Sequence, residues 1–250
     1  SLSCYTGGRN TDPMVVSLVA HDLHLPFIDK GMSKKFFATV RQMKPSRIIL
    51  AGDIIDLHAL TTHRRAADWM DRLDIELLQS RQWLEKLRSL APRCEITYIK
   101  GNHEDRLNRM LESRIPEMRS VGISISSLLD LPSLGIHWVE DAGKTKVWAY
   151  TSRERFRVLH GHEFKGGGKF PAAHALKIAE ALGCNVHIGH THKLGMFIIP
   201  IAGKLRTVVE GGLMANMRAA ALGYAGPAPK WANAFTIYDD KEPLPQFVQP

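Results

Sequence analysis

Five short stretches of this chain bring histidine, aspartate and asparagine together. They are His21-Asp22-Leu23-His24, Gly52-Asp53 with Asp56 three residues on, Gly101-Asn102-His103-Glu104, His160-Gly161-His162 and Gly189-His190-Thr191-His192. They draw on 12 histidines, about twice what average usage gives 250 residues. Imidazole and carboxylate together suit Mn, Fe, Zn, Ni or Co better than Ca or Mg alone. On an extended segment, Asp-x-His and His-x-His turn alternate side chains to one face, so two donors reach the same side. Asp53 has two oxygens and can bridge two cations. Two cations about 3.5–4 Å apart are a device for attack on phosphorus, because they clamp the phosphoryl oxygens and deprotonate a water between them. A Gly-Asn-His followed by an acid arises by chance in roughly one chain of this length in a thousand. The five motifs in this order form a far stronger signal than any one of them.

Each cluster needs an element to carry it. Residues 14–20, 47–51, 95–100, 155–159 and 185–188 are short apolar runs that read as buried strands, and each ends at or close before a cluster. Helices are expected over 32–43, over 70–91 (Met70, Leu73, Leu77, Leu84, Leu87 and Ala91 form one stripe), from the acids Glu104 and Asp105 onward, and over 171–182. Further strands are expected at 136–139, 146–151, 194–199, 205–209 and 234–238. Residues 114–135 read as short helices broken by Pro116 and Pro132, and 222–231 as a loop. In α/β sheets ligands bind at the carboxyl ends of strands, so the five clusters are predicted to converge. Plainer roles exist: Asp22 and Asp53 as helix caps, Asn102 as a turn residue. His21, His58, His63, His137, His174 and His187 fit no motif and are read as ordinary structural histidines.

Composition sets the outer bounds. With 44% hydrophobic and 23% charged residues the chain is neither collagenous nor disordered. One α/β domain is expected over 13–240, with a polar arm at 1–12 and an extended Pro-rich tail at 241–250. No apolar run approaches the 18 or so residues of a membrane helix, and the start does not read as a secretion signal. Cys4, Cys94 and Cys184 stand far apart, which suits a reducing, cytoplasmic setting. Lys and Arg number 33 against 25 acids, a net charge of +8 that favours anionic partners without naming one. No protein partner is indicated.

In order, D-x-H, G-D-x-x-D, G-N-H-E, H-G-H and G-H-x-H resemble the calcineurin-like metallophosphoesterase superfamily, from Asp22 to His192. The resemblance implies an α/β fold, a two-sheet β-sandwich flanked by helices in four layers (αββα), with the site in the loops after the strands. It implies two divalent metal ions, manganese first and Fe, Zn, Ni or Co as alternatives. Asp22, His24, Asp53 and His192 would hold the first, and Asp53, Asn102, His160 and His190 the second. In His160-Gly161-His162 either histidine fits, and the family's order of His before Gly favours His160. His103 would stabilise or protonate the leaving oxygen, and Asp56 would pair with it and keep it charged.

One departure bears on the substrate, which the resemblance implies is a phosphate ester. Protein Ser/Thr phosphatases of the superfamily carry Arg directly after the position of Asp56; this chain has Leu57. That and the basic balance favour a phosphodiesterase acting on nucleotides or nucleic acid, a nuclease included. A phosphomonoesterase, acting on small molecules or protein, is the second reading, and a scaffold without turnover the third. His162, Arg106, Lys165 and Lys169 are candidate substrate contacts, the two lysines flanking a Gly-rich turn that holds a phosphate or acts as a lid. Arg106 and Arg109 share a helical face toward the site or toward water. Arg153, Arg155 and Arg157 alternate, giving a basic ridge or a protected sheet edge. No zinc finger, helix-turn-helix or RNA-binding signature is visible.

Overall fold

A computed structural model describes residues 15–61, 72–219 and 230–250. Its first half runs β1 (Val16–Ala20), α1 (Lys30–Met43), β2 (Arg47–Ala51), α2 (Leu73–Leu90), β3 (Glu95–Ile99), α3 (Asp105–Arg114), α4 (Ile125–Leu128) and β4 (Ile136–Val139). The second half runs β5 (Val147–Tyr150), β6 (Arg155–Val158), α5 (Ala173–Leu182), β7 (Asn185–Ile188), β8 (Leu194–Ile201), β9 (Lys204–Gly211), β10 (Phe235–Asp239) and β11 (Gln246–Val248). The arm, His63, Met70 and most of the 222–231 loop lie outside the described residues.

The strands form two sheets, ordered β11-β10-β1-β2-β3-β4 and β5-β6-β7-β9-β8. β1 to β4 are mutually parallel, as are β6, β7 and β9, so all the strands that end at a cluster point their carboxyl ends the same way within their sheet. Side chains alternate along a strand. In the first sheet Leu18, Ile48, Leu50, Ile96 and Tyr98 pack into one core with Phe36, Trp83, Leu84 and Leu87 of α1 and α2. Val19, Ile49, Ala51 and Ile99 belong to the other core, with Phe156, Val158, Val186 and Val208 of the second sheet. Helix α5 packs on β7 and β9. The order of layers is therefore helices, sheet, sheet, helix, as the motifs implied.

Differences from the sequence reading have local causes. The hairpin β8–β9 is longer than expected at both strands, because Ala202 and Gly203 both take positive φ (49° and 76°) and make a tight two-residue turn. Within the segment read as a tail, Gln246–Val248 pairs with β10 as the edge strand of the first sheet, with prolines just outside the paired residues. The alternation of Arg153, Arg155 and Arg157 does not make a solvent ridge. Arg157 is buried, its guanidinium donating to the carbonyls of Ala142 and Gly143. No described helix is long and apolar enough to cross a membrane.

Candidate dimetal site

Backbone shape brings the clusters together. Asp22, His24, Asp53, His190 and His192 all hold positive φ, between 47° and 65°. Non-glycine residues rarely adopt that region, and such conformations concentrate at functional sites. Interlocking hydrogen bonds hold them there: Asp22 N donates to Gly52 O (3.0 Å), His24 N to Asp53 O (3.0 Å), and Met214 N and Ala215 N to Asp22 O. Gly52 (φ 88°) has no substitute, since a Cβ there would stand 2.4 Å from His160 Nδ1.

The side chains then converge. Asp22, His24 and His192 form one group able to hold a cation, Asp53, His160 and His190 a second, and His24, Asp53 and His103 a third that links them. Asn102 Oδ1 lies 3.1 Å from His160 Nε2, and Asp53 Oδ2 lies 3.3 Å from the same nitrogen. His160 Nδ1 faces the Ala51 carbonyl at 2.9 Å and so carries the proton, which leaves a lone pair on Nε2 aimed at two acceptor oxygens. His24 and His192 bring their Nε2 atoms within 3.2 Å of each other, beside the buried Oδ1 of Asp22, which makes no hydrogen bond. Acceptors packed against acceptors are stable only with a proton or a cation between them. The donor set, imidazole with carboxylate and one amide oxygen, fits divalent transition metals.

Without metal, protons take up part of this role. Burial works to lower the His160 pKa, but Asp53, by charge and hydrogen bond, raises it to about 10. Burial would raise Asp53, yet His160 and His103 hold its carboxyl well below the ordinary range. His190 is lowered to about 4, by burial first and then by His160.

Asp56 stands between two imidazoles. Its carboxylate sits 2.9 Å from His24 Nδ1 and only 3.5 Å from His103 Nδ1. It orients His24, as a carboxylate does behind a metal-binding imidazole. His103 Nδ1 is 2.9 Å from the Asp56 backbone carbonyl, and Arg106 Nη2 is 3.2 Å from His103 Nε2. Burial lowers the His103 pKa to about 4, while the charges of Asp53 and Asp56 act to raise it.

Arg106 is thus brought to the site, its Nη1 donating to Asp56 O (3.0 Å) and Asp56 Oδ1 (3.2 Å). Arg109 is largely exposed; it donates to the Asn102 carbonyl at 3.2 Å and pairs with Asp105 at 3.7 Å. His162 is half-buried beside His160, with ring centroids 5.3 Å apart. Lys165 and Lys169 are exposed and no described contact joins them to the clusters. In the Gly-rich turn between them, the Gly167 and Gly168 carbonyls accept from Lys177 and Lys193.

Buried acids near the site were not found from sequence, Glu104 and Glu76 among them. Glu104, read as a first-turn acid, turns back instead and accepts from the N–H groups of Asp53, Ile54, Ile55 and Gly101 and from the Tyr98 hydroxyl. It locks the β2 and β3 loops together. Glu76 of α2 accepts from His58 N and Ala59 N, both at 2.9 Å, just after Asp56. Burial raises Glu76 from an ordinary 4.5 to about 7, against those two donors. Folding therefore takes up a proton here. The stability this gives is complete below about pH 4.5 and is lost as pH rises through about 7. Glu76→Gln is expected to remove that decline, read as a flatter dependence of Tm on pH; parallel curves for the two proteins would refute it.

Residues 18–194 match the family model of the calcineurin-like phosphoesterases. The chain belongs to that family. It is a metal-dependent phosphoesterase, of a family that binds two divalent metals. Solved structures of similar fold include Yfce, a phosphoesterase from E. coli (13% identity over 89% of this chain and 87% of that one, TM-score 0.43). They also include a dimetal phosphatase from Danio rerio (11%, 95% and 99%, TM-score 0.44) and Vps29 from Chaetomium thermophilum (14%, 89% and 83%, TM-score 0.47). No curated protein sequence matches the chain.

Proposed function

We propose that this calcineurin-like phosphoesterase is a cytoplasmic phosphodiesterase acting on nucleotides or nucleic acid. In this reading Asp22, His24, Asp53 and His192 hold one cation and Asp53, Asn102, His160 and His190 the other, manganese first. The cations supply Lewis-acid charge to the phosphoryl oxygens and lower the pKa of bound water. Asp56 fixes the His24 ring. His103 offers Nε2 to the leaving oxygen, and a phosphate arriving beside it raises its proton affinity.

The observation that carries the choice of a diester is the fate of the positive charge beside His103. Leu57 is fully buried, and the guanidinium in that corner comes from Arg106. Its Nη1 is already bonded to Asp56 and its Nη2 faces His103. A dianionic monoester presents a third unesterified oxygen that needs a free donor. A monoanionic diester does not, and the basic balance of the chain favours a polyanionic or nucleotide substrate. With Mn²⁺, bis-p-nitrophenyl phosphate is expected to be hydrolysed faster than p-nitrophenyl phosphate. Activity on the monoester alone would replace the reading with a phosphomonoesterase, and activity on neither with a scaffold.

A further inference from the structure

We infer that Phe170, Lys230 and Trp231 form a stacking rim beside the metal groups that takes a nucleobase, so that the organic arm of the substrate is a nucleoside. The inference rests on the phosphoesterase reading of the site and adds what the ester is made of.

Trp231 stands at the edge of the first group. Its ring meets that of His192 edge-on, with centroids 4.5 Å apart, and the next residue ties the segment down through Ala232 N to His192 O at 3.1 Å. Leu213 and Ala215 support the indole from behind, and the residue remains half-buried. Phe170 comes from another part of the chain and is 66% exposed. An aromatic ring left that open has a face free for a ligand. Lys230 joins the two, being next to Trp231 in the chain and placing its Nζ 5.8 Å from the Phe170 ring centroid. Lys193, directly after His192, donates to the Gly168 carbonyl and so fastens the segment before Phe170 to the His192 segment.

An indole against His192 and a second, exposed ring with an ammonium 5.8 Å from its centroid match the chemistry of a nucleoside phosphate. A base has a π-face at every position, and stacking on protein aromatics tolerates sequence. The lysine answers the phosphate charge without hydrogen-bonding geometry.

The test is calorimetric binding to the full, Mn²⁺-loaded chain of two probes that differ only by the base, thymidine 5′-monophosphate and 2-deoxyribose 5-phosphate. The wild-type protein is expected to bind the nucleotide roughly tenfold tighter or more. Phe170→Ala, at an exposed position with little bearing on folding, is expected to bring the ratio toward one. Trp231→Ala is expected to do the same and Trp231→Phe to restore it. A wild-type ratio near one, a ratio unmoved by Phe170→Ala and Trp231→Ala, or no binding of either probe overturns the inference. Hydrolysis of bis-p-nitrophenyl phosphate by the same preparation reports separately on the phosphodiesterase reading, so the two fail independently.

Discussion

Asp53→Asn is expected to abolish turnover and to lower cation content at both halves of the site. Asp53 belongs to two of the groups able to hold a cation, one with His160 and His190 and one with His24 and His103. Its two oxygens have different tasks. Oδ1 accepts the His103 backbone N–H at 2.9 Å and is fixed by it. Oδ2 lies 3.3 Å from His160 Nε2 and 3.8 Å from His103 Nε2. An asparagine keeps the shape and can keep the bond to His103 N, so the fold is expected to survive. Its NH2 then replaces Oδ2 and turns a donor toward the cavity, and the negative charge is lost. In the proposed assignment the site then loses the carboxylate that both cations share. Metal clamps supply several kcal/mol of transition-state stabilisation, and each 1.36 kcal/mol is a factor of ten, so a fall of about a thousandfold or more follows. Elemental analysis of the dialysed variant and initial rates on bis-p-nitrophenyl phosphate would measure it. Full turnover with both metals retained would remove the bridging role from Asp53.

The residues of this site were legible because their chemistry sits next to them in sequence. Buried parallel strands such as 47–51 read as unbroken apolar runs, and each ends where the polar cluster begins. The partners that steer those residues were not legible, because they come from distant segments. Nothing in Glu104 distinguishes an acid favouring a helix start from one that gathers four N–H groups across two loops; only the packing of β2 beside β3 decides it. The same holds for Glu210, a buried acid of β9 that accepts from His174 N and Thr191 Oγ1 and so braces the loop between His190 and His192. His187 and His21 were read as structural, and they are buried, one on the Tyr238 hydroxyl at 2.8 Å and the other on Asp22 Oδ2 at 2.9 Å. Arg157 shows the opposite failure. Strand periodicity placed it on an arginine ridge, but Trp148 on the neighbouring strand and the free carbonyls of Ala142 and Gly143 offer it buried partners.

His103→Ala is expected to lower kcat by roughly 10²–10⁴ while leaving both metals in place. In the proposed reading the ring serves proton transfer rather than ligation. The Asp56 carbonyl can only accept, so Nδ1 carries the hydrogen and Nε2 is the basic atom turned inward. Arg106 Nη2 approaches that nitrogen to 3.2 Å and fixes its direction. A group that protonates the leaving oxygen matters most when that oxygen is a poor leaving group. The loss is therefore expected to be larger for an alkyl ester such as a dinucleotide than for a p-nitrophenyl diester, whose phenolate leaves with little help. Arg106→Lys keeps the charge but not the fork that bonds Asp56 and His103 together, and a smaller fall with the same dependence on the leaving group is expected. His103 also belongs to the group formed with His24 and Asp53, which makes metal content the deciding measurement. If His103→Ala loses a cation, the imidazole is a ligand, and the proton must reach the leaving oxygen from elsewhere.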